Sequence, residues 1–355
     1  MPQRSAPAFF AAFLLVACGD TEATTGGGGA GTGGDVGSGG EPGSGGGGQG
    51  EGGTVAAGGA PSGGGGTAST GGGGEGGGGT VIGCLTDVAA GHHEVTCDGG
   101  IAYDVEIPSA CVQGGCGLIV DLHGYTMTGD SEDENTGMRA LGQANGYVVV
   151  QPTAPKDNLQ QPSWEQATHV PLVYAFLSDL AGSLDIDPAR IHAMGFSQGG
   201  GMTLRLLCTH ADFFASGAPI GALEGCEFEG ANAPSEEVDI LQVHGHTDAV
   251  VSFDAVAIPQ RDAILGGFSF GAPSIIEQDA GHTATRWLTP SATVFEFWEH
   301  DYETSATVVF VGLDGHCVPG GDDFDGLPAG YSCEDVGTFV FGELAMLFFL
   351  AHPKG

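Results

Sequence analysis

Gly195-Phe196-Ser197-Gln198-Gly199 lies between an apolar run, Arg190–Met194, and a helical pattern that begins at Gln198. A serine between two glycines, with a strand before it and a helix after it, is typical of a tight and strained turn. Such a turn holds the serine hydroxyl at the N-terminus of a helix, where a substrate can reach it. The pattern predicts that Ser197 is a nucleophile; the alternative is an ordinary glycine-rich turn between a strand and a helix.

Strand and helix patterns alternate on both sides of this turn. Apolar or alternating runs predict strands at 93–97, 101–107, 117–122, 147–151, 190–194, 215–220, 240–244 and 307–312. Helical periodicity predicts helices at 138–145, 170–184, 198–208 and 336–350. This order predicts an α/β fold with a mostly parallel sheet and helices on both faces. In such a sheet the functional residues lie at the carboxyl ends of the strands.

A nucleophilic serine needs a base, and the base needs an acid to orient it. Asp248 follows the strand predicted at 240–244, and His316 follows what the pattern makes the last strand, 307–312. The order serine, acid, histidine is that of a hydrolase of this fold class. Alternatives remain open: Asp248 could be a turn residue with Asp254 as the acid. His282, which the pattern places before a helix, could be the base.

The oxyanion of an ester intermediate needs two backbone N–H donors. One is expected from Gln198, directly after the nucleophile. The other is expected from Tyr125, in the loop His123-Gly124-Tyr125 after the strand at 117–122. Glycine at 124 allows a close backbone approach, and His123 is expected to be a packed loop residue.

Eight cysteines follow Cys18, an even number that is typical of disulfides in an exported domain. Proximity along the chain favours the pairs Cys84–Cys97, Cys111–Cys116, Cys208–Cys226 and Cys317–Cys333. Zinc is the competing use, but the sequence has no C-x-x-C pair. His92-His93 and the pair His244 and His246 could chelate a metal, yet no carboxylate or cysteine completes a set at the usual spacing. No metal site is therefore expected.

The N-terminal residues indicate export. Arg4 precedes an apolar segment, 6–16, that is too short to span a bilayer. Leu15-Val16-Ala17-Cys18 resembles a bacterial lipobox, which implies a signal peptide over 1–18 and a lipid anchor on Cys18; the alternative is a plain secretory signal. A glycine-dominated stretch, 19–80, predicts a disordered linker, and 81–355 is long enough for one domain. The net charge of −36 argues against nucleic acid or anionic lipid as a partner.

Four motifs in this order carry a family resemblance: Leu122-His123-Gly124, Gly195–Gly200, His244-Gly245-His246-Thr247-Asp248 and Gly315–Gly320. They look like the secreted esterase family that includes polyhydroxybutyrate depolymerases, feruloyl esterases and acetyl-xylan esterases. The resemblance implies the α/β-hydrolase fold, no metal or organic cofactor, and ester hydrolysis through the predicted serine, acid and histidine. It also implies that Trp164 lines the substrate pocket. Val318 stands where the family often has tryptophan, which leaves the substrate open.

These patterns together predict a lipid-anchored, extracytoplasmic serine esterase that acts on a feruloyl, acetyl or polyhydroxyalkanoate-type ester, with a monomer as the default state. Two alternatives remain. A serine peptidase of the same fold would need a positively charged or shaped pocket, for which a chain with 8 basic residues offers little. A non-catalytic binding module would have no need of an intact series of serine, acid and histidine.

Overall fold

The computed structural model describes residues 84–228, 233–308, 311–321 and 331–355. The predicted signal peptide 1–18 with Cys18, the predicted linker 19–80 and the predicted domain start at 81 lie outside the described residues. Among the described helices, none combines the length and the apolar composition that a membrane crossing requires.

The centre of the structure is a ten-stranded sheet in which six neighbouring strands run parallel. Their bounds, in spatial order, are β4 (Tyr147–Thr153), β3 (Gly117–Leu122), β5 (Ile191–Phe196), β6 (Ser216–Ile220), β7 (Asp239–Gly245) and β10 (Val294–His300). Antiparallel strands extend both ends: β1 (Gly91–Thr96) and β2 (Ala102–Ile107) beside β4, and β9 (His282–Leu288) and β8 (Ser274–Gln278) beside β10. Strands β3 and β5 are buried along their whole length, as apolar central strands of a covered parallel sheet must be.

Helices cover both faces of this sheet, because successive side chains of each central strand point to opposite sides. Leu118 and Val120 of β3 pack in one core with α3 (Gln166–Ser183), α4 (Gln198–Thr209) and α5 (Ile258–Gly267). Ile119, between them, packs in a second core with α2 (Met138–Asn145) and α6 (Phe341–Ala351). A short helix, α1 (Gly129–Thr136), lies between β3 and α2 along the chain. The predicted α/β-hydrolase fold class is confirmed.

Two expectations about the C-terminal half are wrong. The described residues of the run 307–312 are not the last strand of the main sheet: Thr307 and Val308 lie in β11 (Thr304–Val308), and Val311 and Gly312 lie in β12 (Val311–Asp314), two strands that pair with each other in a separate sheet. The last parallel strand is β10, which the sequence patterns did not predict. His282, expected before a helix, is instead the first residue of β9.

The eight cysteines of the described region form four disulfides, each between neighbours along the chain. The pairs are Cys84–Cys97, Cys111–Cys116, Cys208–Cys226 and Cys317–Cys333, with Cα–Cα distances of 5.0 to 6.1 Å. This is the pairing favoured by proximity, and disulfides of this number are typical of proteins that fold in an oxidising compartment.

Candidate active site

Ser197 occupies the sharp turn between β5 and α4. Its backbone has φ 55° and ψ −116°, a positive φ that is rare for a residue with a side chain and stores strain. Helix α4 begins in close contact with the end of β3 and the loop after it, and this approach is possible only because residue 199 is glycine. A Cβ atom on Gly199 would collide with the carbonyl oxygen of Leu122. The arrangement directs the Ser197 side chain away from the sheet, next to Gly124, whose own Cβ would lie 3.3 Å from that of Ser197.

The structure brings Ser197, His316 and Asp248 into one hydrogen-bonded series. The Oγ atom of Ser197 lies 3.0 Å from Nε2 of His316, and Nδ1 of His316 lies 2.7 Å from Oδ2 of Asp248. All three residues are buried, with relative exposures of 8%, 3% and 7% for the whole residues. A histidine whose Nδ1–H donates to a carboxylate has a lone pair on Nε2, so it can accept a proton from the serine hydroxyl.

Asp248 is held as an anion although it is buried. Burial alone would raise the pKa of its carboxyl group, but the Coulombic attraction between the carboxylate and the His316 imidazole, together with hydrogen bonds from His244 and His316, outweighs it and keeps that pKa well below its ordinary value. Its second oxygen, Oδ1, accepts the backbone N–H groups of Val250 and Val251 at 2.9 and 2.6 Å. The carboxylate therefore keeps its charge and its orientation toward His316.

The loop after β3 is held by His123, which the sequence predicted as a packed residue. Nε2 of His123 accepts the N–H of Ala154 at 2.9 Å, so Nδ1 carries the hydrogen and donates to the Gly124 carbonyl at 2.6 Å. Burial lowers the pKa of this imidazole to about 4, which keeps it neutral. In a trans peptide the C=O and the next N–H point in opposite directions. The Tyr125 N–H therefore points away from His123, and Thr126 beyond it has a strained φ of 71°.

Gln198 and Trp164 connect this loop to the nucleophile turn. The Gln198 side-chain oxygen accepts the backbone N–H of Trp164 at 2.9 Å, and the indole N–H of Trp164 donates to the His123 carbonyl at 2.9 Å. Trp164 is only 5% exposed, so it packs in the interior and stabilises the loop after β3 through this hydrogen bond. Its role as a substrate contact stays a prediction, and so do the amide roles of Gln198 and Tyr125.

The two rival residues have other partners. His282 lies 2.9 Å from the Tyr302 hydroxyl and 3.1 Å from Oε1 of Glu277, and its ring stacks on Trp298 and Phe339. Asp254 lies on the surface, in the turn that precedes α5. Neither belongs to the hydrogen-bonded series of Ser197.

Strand pairing brings together three possible metal ligands that spacing along the sequence did not suggest. Strand pairing places His92 opposite Glu106 and Glu94 opposite Asp104, and one ligand atom each of His92, Glu94 and Asp104 lies within 4.8 Å of the others. Carboxylates therefore do complete a set around His92: Glu94 lies two residues further along the same strand, and Asp104 lies on the partner strand. Because His92 and Glu94 are exposed on an acidic surface, we assign no role to this cluster.

Sequence reasoning considered His244 as a metal chelator and favoured a packed or solvent-facing histidine instead; the structure places it against the acid. Its Nε2 atom lies 3.3 Å from Oδ2 of Asp248, and both side chains are fully buried. The signal was present in the sequence: His244 is the last residue of the predicted strand 240–244 and precedes Asp248 by four residues. His246, by contrast, is exposed, and its Nδ1 atom lies 2.8 Å from Oδ1 of Asp301.

Comparison with curated proteins identifies esterases as relatives, although no protein-family profile matches the chain. The chain is 28% identical over 141 residues to a bifunctional acetylxylan esterase/xylanase of Neocallimastix patriciarum, covering 39% of the chain and 20% of that protein. It is 28% identical over 130 residues to the feruloyl esterase C of Emericella nidulans, covering 36% and 45%. A "Probable feruloyl esterase C" of Aspergillus niger is 25% identical over 252 residues, covering 68% and 82%.

The matched regions are partial: the chain spans half or less of the length of the first curated relatives it matches. Among solved structures, an acetyl xylan esterase from Aspergillus awamori superposes with a TM-score of 0.48 at 12% identity, covering 59% of this chain and 93% of that one. The resemblance to feruloyl and acetylxylan esterases, expected from the four motifs, is confirmed by the curated relatives.

Proposed function

We propose that this protein is an extracytoplasmic serine esterase that hydrolyses carboxylic esters through Ser197, His316 and Asp248. The single observation that carries the proposal is the hydrogen-bonded series from Ser197 through His316 to Asp248, at 3.0 and 2.7 Å. The series begins at a strained turn on the carboxyl end of a central parallel strand, where ligands bind in α/β folds. Relatives named as esterases support the same reaction class.

In the proposed mechanism, Oγ of Ser197 attacks the ester carbonyl carbon while Nε2 of His316 removes its proton. Asp248 stabilises the imidazolium that forms, and the N–H groups of Gln198 and Tyr125 stabilise the oxyanion. His316 then gives the proton to the departing alcohol, which leaves an acyl group on Ser197. Water, deprotonated by His316, attacks the acyl carbonyl and releases the acid, and the proton returns to Ser197.

The substrate class proposed from the relatives' names is an acetyl or feruloyl ester, with a polyhydroxyalkanoate-type ester as the third class that the motifs suggest. A peptidase is less well supported, because a chain with as few as 8 basic residues offers little to bind a peptide carboxylate or acidic side chains. Export is supported by the four disulfides. The lipid anchor on Cys18 rests on the lipobox alone, and metabolic labelling with a fatty-acid analogue, compared with Cys18→Ala, tests it.

The test of the proposed function uses the full chain with its disulfides formed. A fluorophosphonate should label the wild type and not Ser197→Ala, and hydrolysis of p-nitrophenyl acetate, methyl ferulate, acetylated xylan and hydroxybutyrate oligomers should show the same dependence. His316→Ala should abolish turnover, whereas His282→Ala, which alters the rival histidine, should retain it. A folded wild type that neither takes the label nor hydrolyses any of these esters would favour the binding module.

A further inference from the structure

His244 is a buried histidine that the proposed mechanism does not use. It lies near the carboxyl end of β7, and its side chain has no exposed surface. Its Nε2 atom lies 2.8 Å from the Val251 carbonyl oxygen and 3.3 Å from Oδ2 of Asp248. The same Oδ2 atom accepts the hydrogen bond of His316. The acid is therefore contacted by two imidazoles.

The partners of His244 determine its tautomer. A carbonyl oxygen can only accept, so Nε2 of His244 must carry the hydrogen. Its other nitrogen, Nδ1, is buried and has no hydrogen-bond partner. A second proton there would leave an N–H buried without an acceptor, which is costly. The ring is therefore neutral, and the nitrogen of its one N–H lies 2.8 Å from the Val251 carbonyl oxygen and 3.3 Å from Oδ2 of Asp248.

We propose that His244 is a positioning residue for the acid: its Nε2–H closes the loop 248–251 through the Val251 carbonyl and donates to Oδ2 of Asp248, so that the carboxylate is oriented toward His316 and made less basic. This inference rests on the proposed function. Both backbone groups of Val251 contribute to this arrangement. Its N–H donates to Oδ1 of Asp248 at 2.6 Å, and its carbonyl oxygen accepts the hydrogen bond of His244. With the Val250 N–H and His316, the carboxylate has four donors.

The proposal has a consequence for pH dependence. A carboxylate that loses one donor is more basic and stabilises the imidazolium of His316 more strongly. The acid limb of the activity profile, where His316 becomes protonated, should then move to higher pH. The other ionisable groups around this pair are His300 and Glu299 on β10, His246 on the loop after β7, Asp301 after β10, and Asp314 at the end of β12. Burial lowers the pKa of His300 to about 3, so it is neutral in the assay range.

Two matched variants of the full chain test this role. His244→Leu removes the N–H, whereas His244→Gln can place an amide N–H near the position of Nε2. For p-nitrophenyl acetate, His244→Leu should lower kcat about tenfold, the effect of losing one hydrogen bond to a charged group, with little change in KM. The acid limb of its kcat/KM profile should move up by about half a pH unit or more. His244→Gln should lie close to the wild type in both respects.

A second readout needs no turnover. The low-field proton resonance of the His316–Asp248 hydrogen bond reports the titration of His316 directly, and its midpoint should move up in His244→Leu and not in His244→Gln. A loss of kcat in His244→Leu with an unmoved acid limb and an unmoved midpoint would overturn the proposal in favour of a packing role. So would a His244→Gln variant as impaired as His244→Leu.

Nitrogen NMR on the wild type keeps the proposal testable if His244→Leu does not fold. The ring of His244 should be neutral with its hydrogen on Nε2, and a hydrogen on Nδ1 alone, or a charged ring, would overturn the proposal. This result is independent of esterase activity. Failure of fluorophosphonate labelling in the wild type would defeat the proposed function, while a wrong tautomer in a labelled enzyme would defeat only the role of His244.

Discussion

At the scale of single residues, Gly199 determines whether the turn at Ser197 can form. It is the second residue of α4, and a Cβ atom there would overlap the backbone of Leu122 and His123. Neither of these can yield, because both belong to main chain that is itself held by β3 and by the loop after it. The need for glycine at this position is therefore a matter of space, since its φ is not positive.

Gly199→Ala should accordingly destabilise the fold by about 1 to 3 kcal/mol or more, the usual cost of an added group in a packed region. Thermal unfolding of the full chain measures it. Gly182→Ala is the matched control: Gly182 lies inside α3 with nothing within 4 Å of a Cβ atom, so alanine should stabilise that helix by about 0.5 to 1 kcal/mol. Equal effects of the two variants would contradict the argument.

Trp164 gives a second test at this scale. Its indole N–H holds the His123 carbonyl at 2.9 Å, one residue before the glycine that packs on Ser197. Trp164→Phe keeps most of the ring but removes this donor, so kcat should fall by about five- to tenfold, the worth of one neutral hydrogen bond in a transition state. Trp287→Phe, on β9, should leave kcat unchanged. An increase in KM alone would instead support the pocket role that the family resemblance implies.

At the scale of elements, the parallel strands around Ser197 were predictable because each is a continuous apolar run between turn residues. Strand β10 was not, since Val294–His300 contains two glutamates among its aromatic residues. Glu296 is nonetheless 3% exposed, because Arg286 on β9 donates to it at 2.8 Å and the indole N–H of Trp298 donates at 2.9 Å. The burial depends on a partner from the neighbouring strand, Arg286, as well as on Trp298 of β10 itself, and sequence spacing alone does not reveal the cross-strand partner.

The prediction of His316 also shows that sequence patterns do not reveal how strands pair. His316 was predicted from an apolar run taken as the last strand of the sheet, yet the described residues of that run lie in a separate sheet. The inference to His316 needed only that the residue follow the last apolar run before the C-terminal helix, so the error in the strand did not propagate. His244 was assigned no role beside Asp248, because the folding back of residues 248–251 onto β7 is a tertiary contact.

The loop that carries His316 is anchored by the disulfide Cys317–Cys333, which spans 16 residues. Replacing both cysteines by serine should cost about 3 kcal/mol of stability through the entropy of the unfolded chain. It should also lower kcat at temperatures where the protein remains folded, because His316 precedes the bridge directly. The control is the double serine variant of Cys208 and Cys226, a bridge spanning 18 residues near the far end of α4. That variant should lose similar stability yet retain kcat when folded, and equal losses of kcat would contradict the anchoring role.

At the scale of the whole molecule, the chain combines a net charge of −36 with carboxyl groups that are completely buried. Asp121 on β3 is one of them. Burial raises its pKa to about 7, although hydrogen bonds from Gln151 and Thr136 act in the opposite direction. Glu132 on α1 lies near it, and burial together with the charge of Asp121 raises the pKa of Glu132 as well. These groups are most easily accommodated when they are protonated.

The sign of the resulting pH effect follows from linkage. Between the ordinary pKa of an aspartate, 3.8, and about 7, the folded protein holds a proton on Asp121 that the unfolded chain has released. The free energy of unfolding therefore falls as the pH rises through this window, by an amount that a shift of this size puts at about 2 to 4 kcal/mol. The cost is fully present above pH 7 and absent below pH 3.8.

Asp121→Asn removes this titration while keeping an oxygen for Gln151 and Thr136. Relative to the wild type, the variant should gain stability in urea unfolding at pH 8 and gain much less, or lose, at pH 4. Surface carboxylates also make the stability of the wild type and of the variant depend on pH. The quantity to follow is therefore the difference between their free energies of unfolding at each pH. Asp254→Asn, at an exposed position, controls for the removal of one negative charge without burial. A pH-independent difference for Asp121→Asn would mean that Asp121 is ionised in the folded protein throughout, and that its neighbours compensate the burial.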